Sequence, residues 1–254
     1  MKILGIDLET TGLNTKEDLI IEAGAVLWDT DLGTPVKIYS ELVYNLKKVI
    51  SPEITEITGI TDDMVFEYGK SAPIVLEELE ELAGMADYVV AHNGNDFDKP
   101  MLMSNLARFS GIGGQSNFDR IWLDTKWDIV YPKHIKNRSL ITLAAEHGFL
   151  NPFPHRAVTD VLTTLRIMSC YDIHKIIERS SYPEIDIIAD VSYQDRALAK
   201  EAKFYWNGEE KLWFTRLKEC DVEEKSKEWK FNWYKKSEMK PKGVDNSQIQ
   251  MQGV

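Results

Sequence analysis

The chain has 254 residues, of which 43% are hydrophobic, and its formal net charge is −11. This length accommodates one full α/β domain and a smaller one, and no apolar run approaches the ~20 residues that span a bilayer. The negative charge excludes a protein that coats nucleic acid through a broadly basic surface, because non-specific affinity comes mainly from Lys and Arg that neutralise phosphates. It does not exclude an enzyme of nucleic acid, in which divalent cations supply positive charge.

Two cysteines, Cys170 and Cys220, allow at most one disulfide and lack the spacing of metal ligands. Such a low number fits a reducing compartment. The chain begins with a strand-like segment and does not show the charged region, apolar stretch and cleavage site of a signal peptide. We therefore expect a cytoplasmic protein that does not contact membranes.

Three β segments are predicted first, over residues 3–6, 19–28 and 37–46, and they would form an antiparallel flank of a sheet. Strand alternation places Asp7 and Glu9 on one face, about 7 Å apart. Such a pair is often merely solvated. When two carboxylates converge, either one is protonated or a cation such as Mg²⁺ lies between them.

A helix is predicted to start at Ser51, with Pro52 in its first turn, and to end at Gly59. Residues 71–85 have helical spacing and lead into a buried strand at residues 88–91. Polar and acidic residues at 92–98 follow that strand, in the crevice where open α/β sheets bind ligands. Some of them would cap the next helix, but five polar positions in seven exceed what a cap needs.

Residues 111–117 are predicted to form a glycine-rich loop, which lacks the Lys-Ser/Thr ending of a phosphate-binding loop. A strand is predicted at 121–125, and a helix at 139–147 would be stopped by Gly148.

A long amphipathic helix is predicted to run to about Arg179. His155 lies before this helix and Asp160 in its first turn. Both can face one point, where the helix N-terminus adds positive potential.

The composition changes after a linker predicted at residues 180–188. Between residues 190 and 236 lie four of the seven tryptophans, with 11 Lys and Arg against 10 Asp and Glu, a net of +1 that leaves −12 for the remainder. A short capped helix and a hairpin turning at Asn207-Gly208 predict a small α+β module at 189–238. The polar tail at 239–254 is expected to be flexible.

Three separate segments place acids beyond a strand or at a helix start: Asp7 with Glu9, Asp98 or Asp96, and Asp160 with His155. Four carboxylates can hold two hard divalent cations, and two such ions ~3.5–4 Å apart clamp the attacking and leaving oxygens of a phosphoryl displacement. A neighbouring histidine is a suitable base for the proton of a metal-activated water. These are the components of metal-assisted phosphodiester hydrolysis.

Three stretches carry a resemblance to a known family. Asp-Leu-Glu-Thr-Thr-Gly-Leu at 7–13, Val-Ala-His-Asn-Gly-x-x-Phe-Asp at 90–98 and His-Arg-Ala-Val-Thr-Asp at 155–160 resemble the three motifs of the DEDDh, or DnaQ-like, 3′→5′ exonucleases. They occur in the family's order, and the resemblance covers about residues 1–178. It implies a ribonuclease H-like α/β fold, with a mixed sheet that has three antiparallel N-terminal strands and is flanked by helices.

The resemblance also implies a role for each matching residue. The implied ligands of two divalent cations, Mg²⁺ or Mn²⁺, are Asp7, Glu9, Asp98 and Asp160, with His155 as the general base. The implied contacts to the terminal nucleotide come from Leu8, Thr10, Thr11, Leu13 and Asn93.

Two positions depart from the usual pattern. Asp98 lies six residues after His92, where proofreading subunits usually have five, and this longer form looks like the TREX-type branch. Asp96 therefore stays open as an alternative ligand. Thr58 stands before Gly59, where many relatives carry His, which leaves open whether one contact to the terminal nucleotide is altered or absent.

We expect a 3′→5′ exonuclease that releases nucleoside 5′-monophosphates from DNA, with single strands preferred over the 3′ ends of duplexes. An exoribonuclease on short RNA and a non-catalytic nucleic-acid-binding or polymerase-accessory protein are the alternatives. A replication or repair protein is the expected partner class.

The C-terminal module is similar to a short element found in phage and bacterial proteins of DNA metabolism. Its aromatic residues can stack on single-stranded bases, with cations reaching phosphates from Lys200, Lys203, Lys211 and Arg216. Most of its rings are expected to form the core that so small a domain needs. Binding of a protein partner is the alternative.

Three further residues have simple expectations. Arg156 contacts either the scissile phosphate or a neighbouring acid, and Trp122 and Trp127 are expected in the core.

Overall fold

The structure is a computed structural model that describes residues 1–44, 48–109 and 115–239. The chain divides into two compact units, Met1–Ser181 and a second unit that starts at Tyr182. Three sequence predictions lie partly or wholly outside the described residues: the end of the third strand, most of the glycine-rich loop, and the tail.

The first unit contains six strands and seven helices among its described residues. The strands are β1 (Lys2–Thr10), β2 (Ile20–Asp29), β3 (Thr34–Tyr44), β4 (Lys70–Ser71), β5 (Tyr88–Ala91) and β6 (Trp122–Asp124). The helices are α1 (Pro52–Thr58), α2 (Asp62–Tyr68), α3 (Ala72–Gly84), α4 (Asp98–Phe109), α5 (Leu140–Glu146), α6 (Ala157–Met168) and α7 (Ile173–Ser180).

Its strands form one mixed sheet in the order β4-β3-β2-β1-β5-β6. β1 pairs antiparallel with β2, and β2 antiparallel with β3, whereas β5 and β6 are parallel to β1. The predicted mixed sheet with three antiparallel N-terminal strands is confirmed. Because β1 lies inside the sheet, both of its edges are paired, with β2 and with β5.

The two faces of β1 belong to two different cores. Leu4, Ile6 and Leu8 pack with residues of α3 and α4, and Ile3 packs on the other side with residues of α6. Asp7 and Glu9 share the face of Ile3, since side chains alternate along a strand. The sheet therefore presents both acids on the side of helix α6.

Helix α6 approaches the sheet through two glycines. A Cβ atom at Gly24 would lie 2.4 Å from the backbone of Ala157 and Val158, and one at Gly5 would lie 2.7 Å from Val161 Cγ1. Only glycine permits so close an approach. Gly24 pairs with Asp7 across the strands, so this contact sets the first turn of α6 beside the Asp7 carboxyl.

The predicted helix start at Ser51 is confirmed. The Ser51 side chain accepts a hydrogen bond from Ile54 N at 3.4 Å, and Gly59 ends α1 in the left-handed conformation with φ of 72°.

The prediction of one helix from the 155–160 segment to about Arg179 is wrong. α6 ends at Met168 and α7 begins at Ile173. The break has a local cause, because Asp172 is extended and its carboxylate accepts a hydrogen bond from His174 N at 3.0 Å, which starts a new helix.

The second unit contains four strands and two helices among its described residues, followed by a 3₁₀-helix at Lys236–Glu238. They are β7 (Glu184–Asp190), α8 (Arg196–Glu201), β8 (Tyr205–Asn207), β9 (Leu212–Lys218), α9 (Glu219–Ser226) and β10 (Asn232–Lys235). The strands form an antiparallel sheet in the order β10-β7-β9-β8. A small core of its own includes Ile187, Phe204 and Val222.

Two details of this unit differ from the sequence predictions. The linker prediction at 180–188 is wrong for residues 184–188, which belong to β7 and pair with β9. The hairpin turn is also longer than two residues, since Asn207 pairs with Leu212. The Asn207 side chain accepts hydrogen bonds from Glu209 N and Glu210 N and stabilises this four-residue turn.

Within the described part of the chain, no helix combines the length and the apolar character needed to cross a membrane.

Candidate active site

The first two acids extend past the end of the neighbouring strand. β5 pairs with β1 only along Ile3, Leu4 and Gly5, so Asp7 and Glu9 lie beyond it. There the Leu8 N–H donates a hydrogen bond to Asp98 Oδ1 at 3.1 Å. Asp98 is buried. The start of helix α4 is thereby fixed to the end of β1.

The loop that delivers Asp98 is held by an acid that the sequence analysis missed. Asp124, fully buried at the end of β6, accepts hydrogen bonds from Asn93 N at 2.9 Å and Asn95 N at 3.3 Å. Asp96 in the same loop is exposed. Of the two candidate ligands, Asp98 is the one that the structure brings to β1.

His92 fixes the base of this loop. Its Nδ1 lies 2.9 Å from Thr125 Oγ1 and its Nε2 lies 2.8 Å from the Arg138 carbonyl oxygen. Burial lowers the pKa of His92 to about 4, so its imidazole is neutral at neutral pH. Nε2 therefore donates to the Arg138 carbonyl, and Nδ1 accepts from Thr125.

The third segment brings Asp160 and His155 to the same place. Asp160 accepts hydrogen bonds from the Asn151 side-chain amide and, at 3.0 Å, from His155 N. Among the described residues, one ligand atom each of Glu9, His155 and Asp160 lies within 4.8 Å of the others. His155 is exposed and has a φ of 62°, so a left-handed backbone presents its ring to solvent beside the acids.

The carboxyl groups of this cluster repel one another. Burial, with repulsion from Asp98 and Glu9, raises the pKa of Asp7 well above its usual value. Burial, with repulsion from Asp160 and Glu22, raises the pKa of Glu9 to about 8. Burial also raises the pKa of Asp98 and Asp160. The cluster therefore holds more negative charge than its surroundings compensate.

These residues fit divalent cations. Asp7, Glu9, Asp98 and Asp160 offer carboxylate oxygens, the ligands that hard cations such as Mg²⁺ prefer. Among the charged groups that shift the pKa of Glu9 most, only Arg156 is a cation. The guanidinium of Arg156 forms its ion pair with a different acid. A bound cation would remove the repulsion that raises these pKa values.

That other acid, Glu22, was missed by the sequence analysis. It lies opposite Glu9 on β2 and is fully buried. Its carboxylate accepts hydrogen bonds from Arg156 Nη2 at 2.6 Å and from Ala157 N at 2.9 Å. Of the two alternatives for Arg156, the ion pair with an acid is the one observed. Helix α6 has no side-chain cap of its own, so Glu22 supplies this cap from the sheet.

A sequence signal for Glu22 exists. It is the only charged residue in the apolar run of residues 19–28. A glutamate in such a position is rarely buried without a partner.

The predicted substrate contacts on β1 and the loop after it differ in exposure: Leu8, Thr10 and Thr11 are buried, and Leu13 is exposed. The Leu8 side chain is buried in the core and its N–H donates a hydrogen bond to Asp98, so the contact of Leu8 to the terminal nucleotide stays a prediction. Thr10 donates its hydroxyl to Gly12 O at 2.7 Å, and Thr11 donates to Asp18 Oδ1 at 2.7 Å. Both hydroxyls thus shape the loop after β1. Leu13, at the tip of that loop, is 83% exposed.

The Asn93 side chain is hydrogen-bonded to two neighbouring side chains. Its Oδ1 accepts hydrogen bonds from Lys126 Nζ at 3.0 Å and from Trp127 Nε1 at 3.3 Å. Trp127 is 38% exposed, so its predicted place in the core is wrong, whereas Trp122 is buried as predicted. Lys126 lies 5.3 Å from the centroid of the Trp127 ring.

Thr58, which stands where many relatives carry histidine, is buried, and its hydroxyl makes only local hydrogen bonds at the end of α1. Its hydroxyl donates to Ile54 O at 2.9 Å and accepts from Ile60 N at 3.0 Å. The side chain thus stabilises the α1 end and has no free donor.

A ribonuclease H-like sheet that carries four converging acids and an exposed histidine defines a class of nuclease sites. Comparison with known families agrees, because the family model RNase_T, described as Exonuclease, matches residues 4–168. The chain therefore belongs to this exonuclease family, and its motifs make it a DEDDh, DnaQ-like member. Residues 187–232 match a second model that is described as a domain of unknown function.

Curated relatives include two polymerase proteins. A DNA polymerase III PolC-type protein of Thermotoga petrophila is 31% identical over 189 residues, 73% of this chain and 13% of the relative. A DNA polymerase III subunit epsilon of Treponema pallidum is 38% identical over 101 residues, 40% of this chain and 44% of the relative. The chain thus spans less than half the length of either relative.

Solved structures share the fold at low sequence identity. The zinc-bound complex of Escherichia coli ExoI with single-stranded DNA has a TM-score of 0.61 at 16% identity, covering 78% of this chain and 49% of that one. The nuclease domain of 3′hExo, a DEDDh family member bound to rAMP, has a TM-score of 0.54 at 20% identity, covering 66% and 90%.

Proposed function

We propose that this chain removes nucleoside 5′-monophosphates from the 3′ end of DNA, preferably single-stranded, using two divalent cations, Mg²⁺ or Mn²⁺. The observation that carries the proposal is the convergence of four carboxyl groups, two of them buried (Asp98, Asp160) and two half-buried (Asp7, Glu9), whose mutual repulsion calls for cations. A ring nitrogen of the exposed His155 lies within 4.8 Å of carboxylate oxygens of Glu9 and Asp160. In this proposal the four acids hold the metal.

When bound, the cations supply Lewis-acid polarisation of the phosphoryl oxygens and neutralise charge that develops in the transition state. The His155 ring accepts a proton from the attacking water. The water oxygen bonds to the terminal phosphorus, and the bond from that phosphorus to the 3′ oxygen of the preceding nucleotide breaks. That oxygen leaves as a 3′-hydroxyl once protonated. Because His155 is exposed, it returns its proton to solvent.

Leu13 and Asn93 are the predicted substrate contacts that fit this proposal best. Leu13 presents an exposed apolar side chain at a loop tip, which suits contact with a terminal base. Asn93 lies in the loop before Asp98 and has an amide group besides the oxygen that Lys126 and Trp127 occupy.

A matched pair of variants in one loop tests the proposal. Asp98→Asn removes a buried member of the acid cluster, whereas Asp96→Asn changes an exposed acid two residues away. We expect Asp98→Asn to lose about 100-fold or more of the hydrolysis rate, since even outer partners of metal ligands cost 10–100-fold. Asp96→Asn should keep its rate. Equal activity of the two variants, both folded by circular dichroism, would contradict the metal-site assignment.

DNA is the proposed substrate because the polymerase relatives and the ExoI complex with single-stranded DNA are named for DNA. The likeness to 3′hExo bound to rAMP favours RNA as the second candidate. Initial rates on DNA and RNA oligonucleotides of matched sequence decide between them, and faster RNA hydrolysis would overturn the choice of DNA.

The alternative of a non-catalytic nucleic-acid-binding protein predicts binding without hydrolysis. All five motif positions are filled, which favours the enzyme. The polymerase relatives also support a replication or repair protein as a partner, and we propose a cytoplasmic location for this activity.

A further inference from the structure

The second unit contains a cavity lined by aromatic and cationic side chains, which we call the Trp206 groove. Its volume is about 660 Å³, within the ~300–1,000 Å³ range of small-ligand sites. The lining residues used below are Tyr193, Arg196, Lys200, Trp206 and Trp213. No carboxylate belongs to the described lining, in a chain whose net charge is −11.

The cations of the groove come from helix α8, and its two indole rings come from the hairpin of β8 and β9. Arg196 and Lys200 lie four residues apart on helix α8, so both side chains emerge on one side of it. Trp206 of β8 and Trp213 of β9 are opposite each other in the hairpin, with ring centroids 5.6 Å apart. A row of two indoles thus faces a row of two cations.

Five aromatic residues of this unit serve its core. Phe204 is buried, and Trp213, Trp229, Phe231 and Trp233 pack against the core. Trp206 and Tyr193 differ from them, with 52% and 79% of their surfaces exposed. Their exposure leaves ring faces available to a ligand.

Arg196 adds a second flat surface beside Tyr193. Its guanidinium carbon lies 4.0 Å from the Tyr193 ring centroid, and its Nη1 donates to Tyr193 O at 2.6 Å. This stacking fixes the orientation of the guanidinium plane, and the remaining N–H groups can bind phosphate. Of the cations predicted from sequence to reach phosphates, Lys200 lines this groove. Arg216 is instead paired with Asp186, and Lys203 lines a different cavity.

We propose that the Trp206 groove binds single-stranded nucleic acid. Bases stack on Trp206 and Tyr193, and Arg196 and Lys200 bind the phosphates between them, since aromatic stacking accepts any base and cations follow the backbone. The inference deepens the proposed function by giving the substrate strand a second attachment point, which raises its effective concentration on the chain. Binding itself does not require hydrolysis.

The test uses the full chain carrying Asp7→Ala, in EDTA, so that no oligonucleotide is degraded. Fluorescence anisotropy measures the affinity for a fluorescein-labelled oligothymidylate and for the matching oligouridylate. Trp206→Ala should weaken binding about fivefold or more, and Trp206→Phe, which retains a ring, should restore most of the loss. The matched control is Tyr205→Ala, because Tyr205 is 66% exposed and points to the opposite face of β8.

A second variant tests the phosphate contacts. Lys200→Ala should weaken binding and reduce the slope of log affinity against log salt by about one. Unchanged affinity in Trp206→Ala, an equal loss in Tyr205→Ala, or no binding of either oligonucleotide by the parent would overturn the proposal.

An activity measurement separates this proposal from the proposed function. In the chain with Asp7 intact, hydrolysis of the p-nitrophenyl ester of thymidine 5′-monophosphate reports the active site alone, since this substrate has no strand to reach the groove. Trp206→Ala should leave that rate unchanged and raise the KM for an oligonucleotide. An absent ester hydrolysis with intact oligonucleotide binding would refute only the proposed function.

Discussion

The raised pKa of Glu9 makes the negative charge of the site measurable through the pH dependence of stability. Glu9 faces Glu22 across the strands, and burial with repulsion from Asp160 and Glu22 raises its pKa to about 8 from 4.5. Between these values the folded chain holds a proton that the unfolded chain has released. The free energy of unfolding therefore falls as the pH rises through this window, and the stabilisation is complete only below it.

We predict that, in EDTA, the melting temperature falls between about pH 5 and about pH 8, and that it falls less in Glu9→Gln. Glu17→Gln, at an exposed glutamate in the same unit, is the matched control and should follow the parent. Mg²⁺ or Mn²⁺ should raise the melting temperature of the parent more at the higher pH, because cations compete with protons. An identical pH profile of Glu9→Gln and the parent would contradict this account.

His155 should act in the chemical step with little effect on binding. We predict that His155→Gln reduces kcat on single-stranded DNA by about 10²–10⁴-fold, the usual contribution of a general base, while the Kd for the strand in EDTA stays close to that of the parent. His174→Gln, at an exposed histidine of the same unit, should retain full kcat. A weaker Kd with unchanged kcat would assign His155 to binding instead.

Sequence reasoning at this scale found the residues that carry the motifs and missed those that position them. Asp7, Glu9, Asp160 and His155 were recognisable because each lies at a strand end or a helix start, and the choice of Asp98 over Asp96 came from the resemblance to the family motif. Glu22, Asp124 and His92 act on partners distant in sequence, such as Arg156, 134 residues from Glu22. Only the folded sheet reveals such pairs.

At the scale of elements, the site depends on how closely α6 lies on the sheet. Gly24 pairs with Asp7 and lies under the first turn of α6, which carries Asp160. The contact is specific to glycine, since a Cβ atom would meet helix backbone at 2.4 Å.

We predict that Gly24→Ala destabilises the chain by about 1–3 kcal/mol, the usual cost of overpacking, and lowers hydrolysis as α6 moves away. Gly84→Ala is the matched control, because its Cβ would meet only the end of the Asn117 side chain, at 3.3 Å. Urea denaturation with hydrolysis rates measures both effects. Equal stability of the two variants would show that α6 adjusts without cost.

Element boundaries were predictable where the cause was local. Ser51, Pro52 and Gly59 delimit α1 as their residue types predict. The single helix predicted up to Arg179 was wrong, because apolar spacing continues through the break before Asp172. The linker predicted at 180–188 was wrong over residues 184–188, because β7 is defined by its pairing with β9.

At the scale of the whole molecule, the chain joins an exonuclease unit to a second unit with different chemistry. The converging acids of the first unit need bound cations to offset their repulsion. The Trp206 groove of the second unit has cationic side chains of its own, Arg196 and Lys200. The negative net charge therefore does not oppose nucleic-acid binding, since the local charge is positive at both proposed phosphate sites. In the active site the charge would come from the bound metal ions, and in the groove it comes from Arg196 and Lys200.

The measurement that tests the central claim most directly follows one labelled strand. A 5′-labelled single-stranded DNA oligonucleotide is incubated with the full chain in Mg²⁺, in Mn²⁺ and in EDTA, beside Asp7→Ala. We predict a ladder that shortens from the 3′ end with either metal and is absent in EDTA and in the variant. An unshortened strand in both metals, for DNA and for the matching RNA, would contradict it.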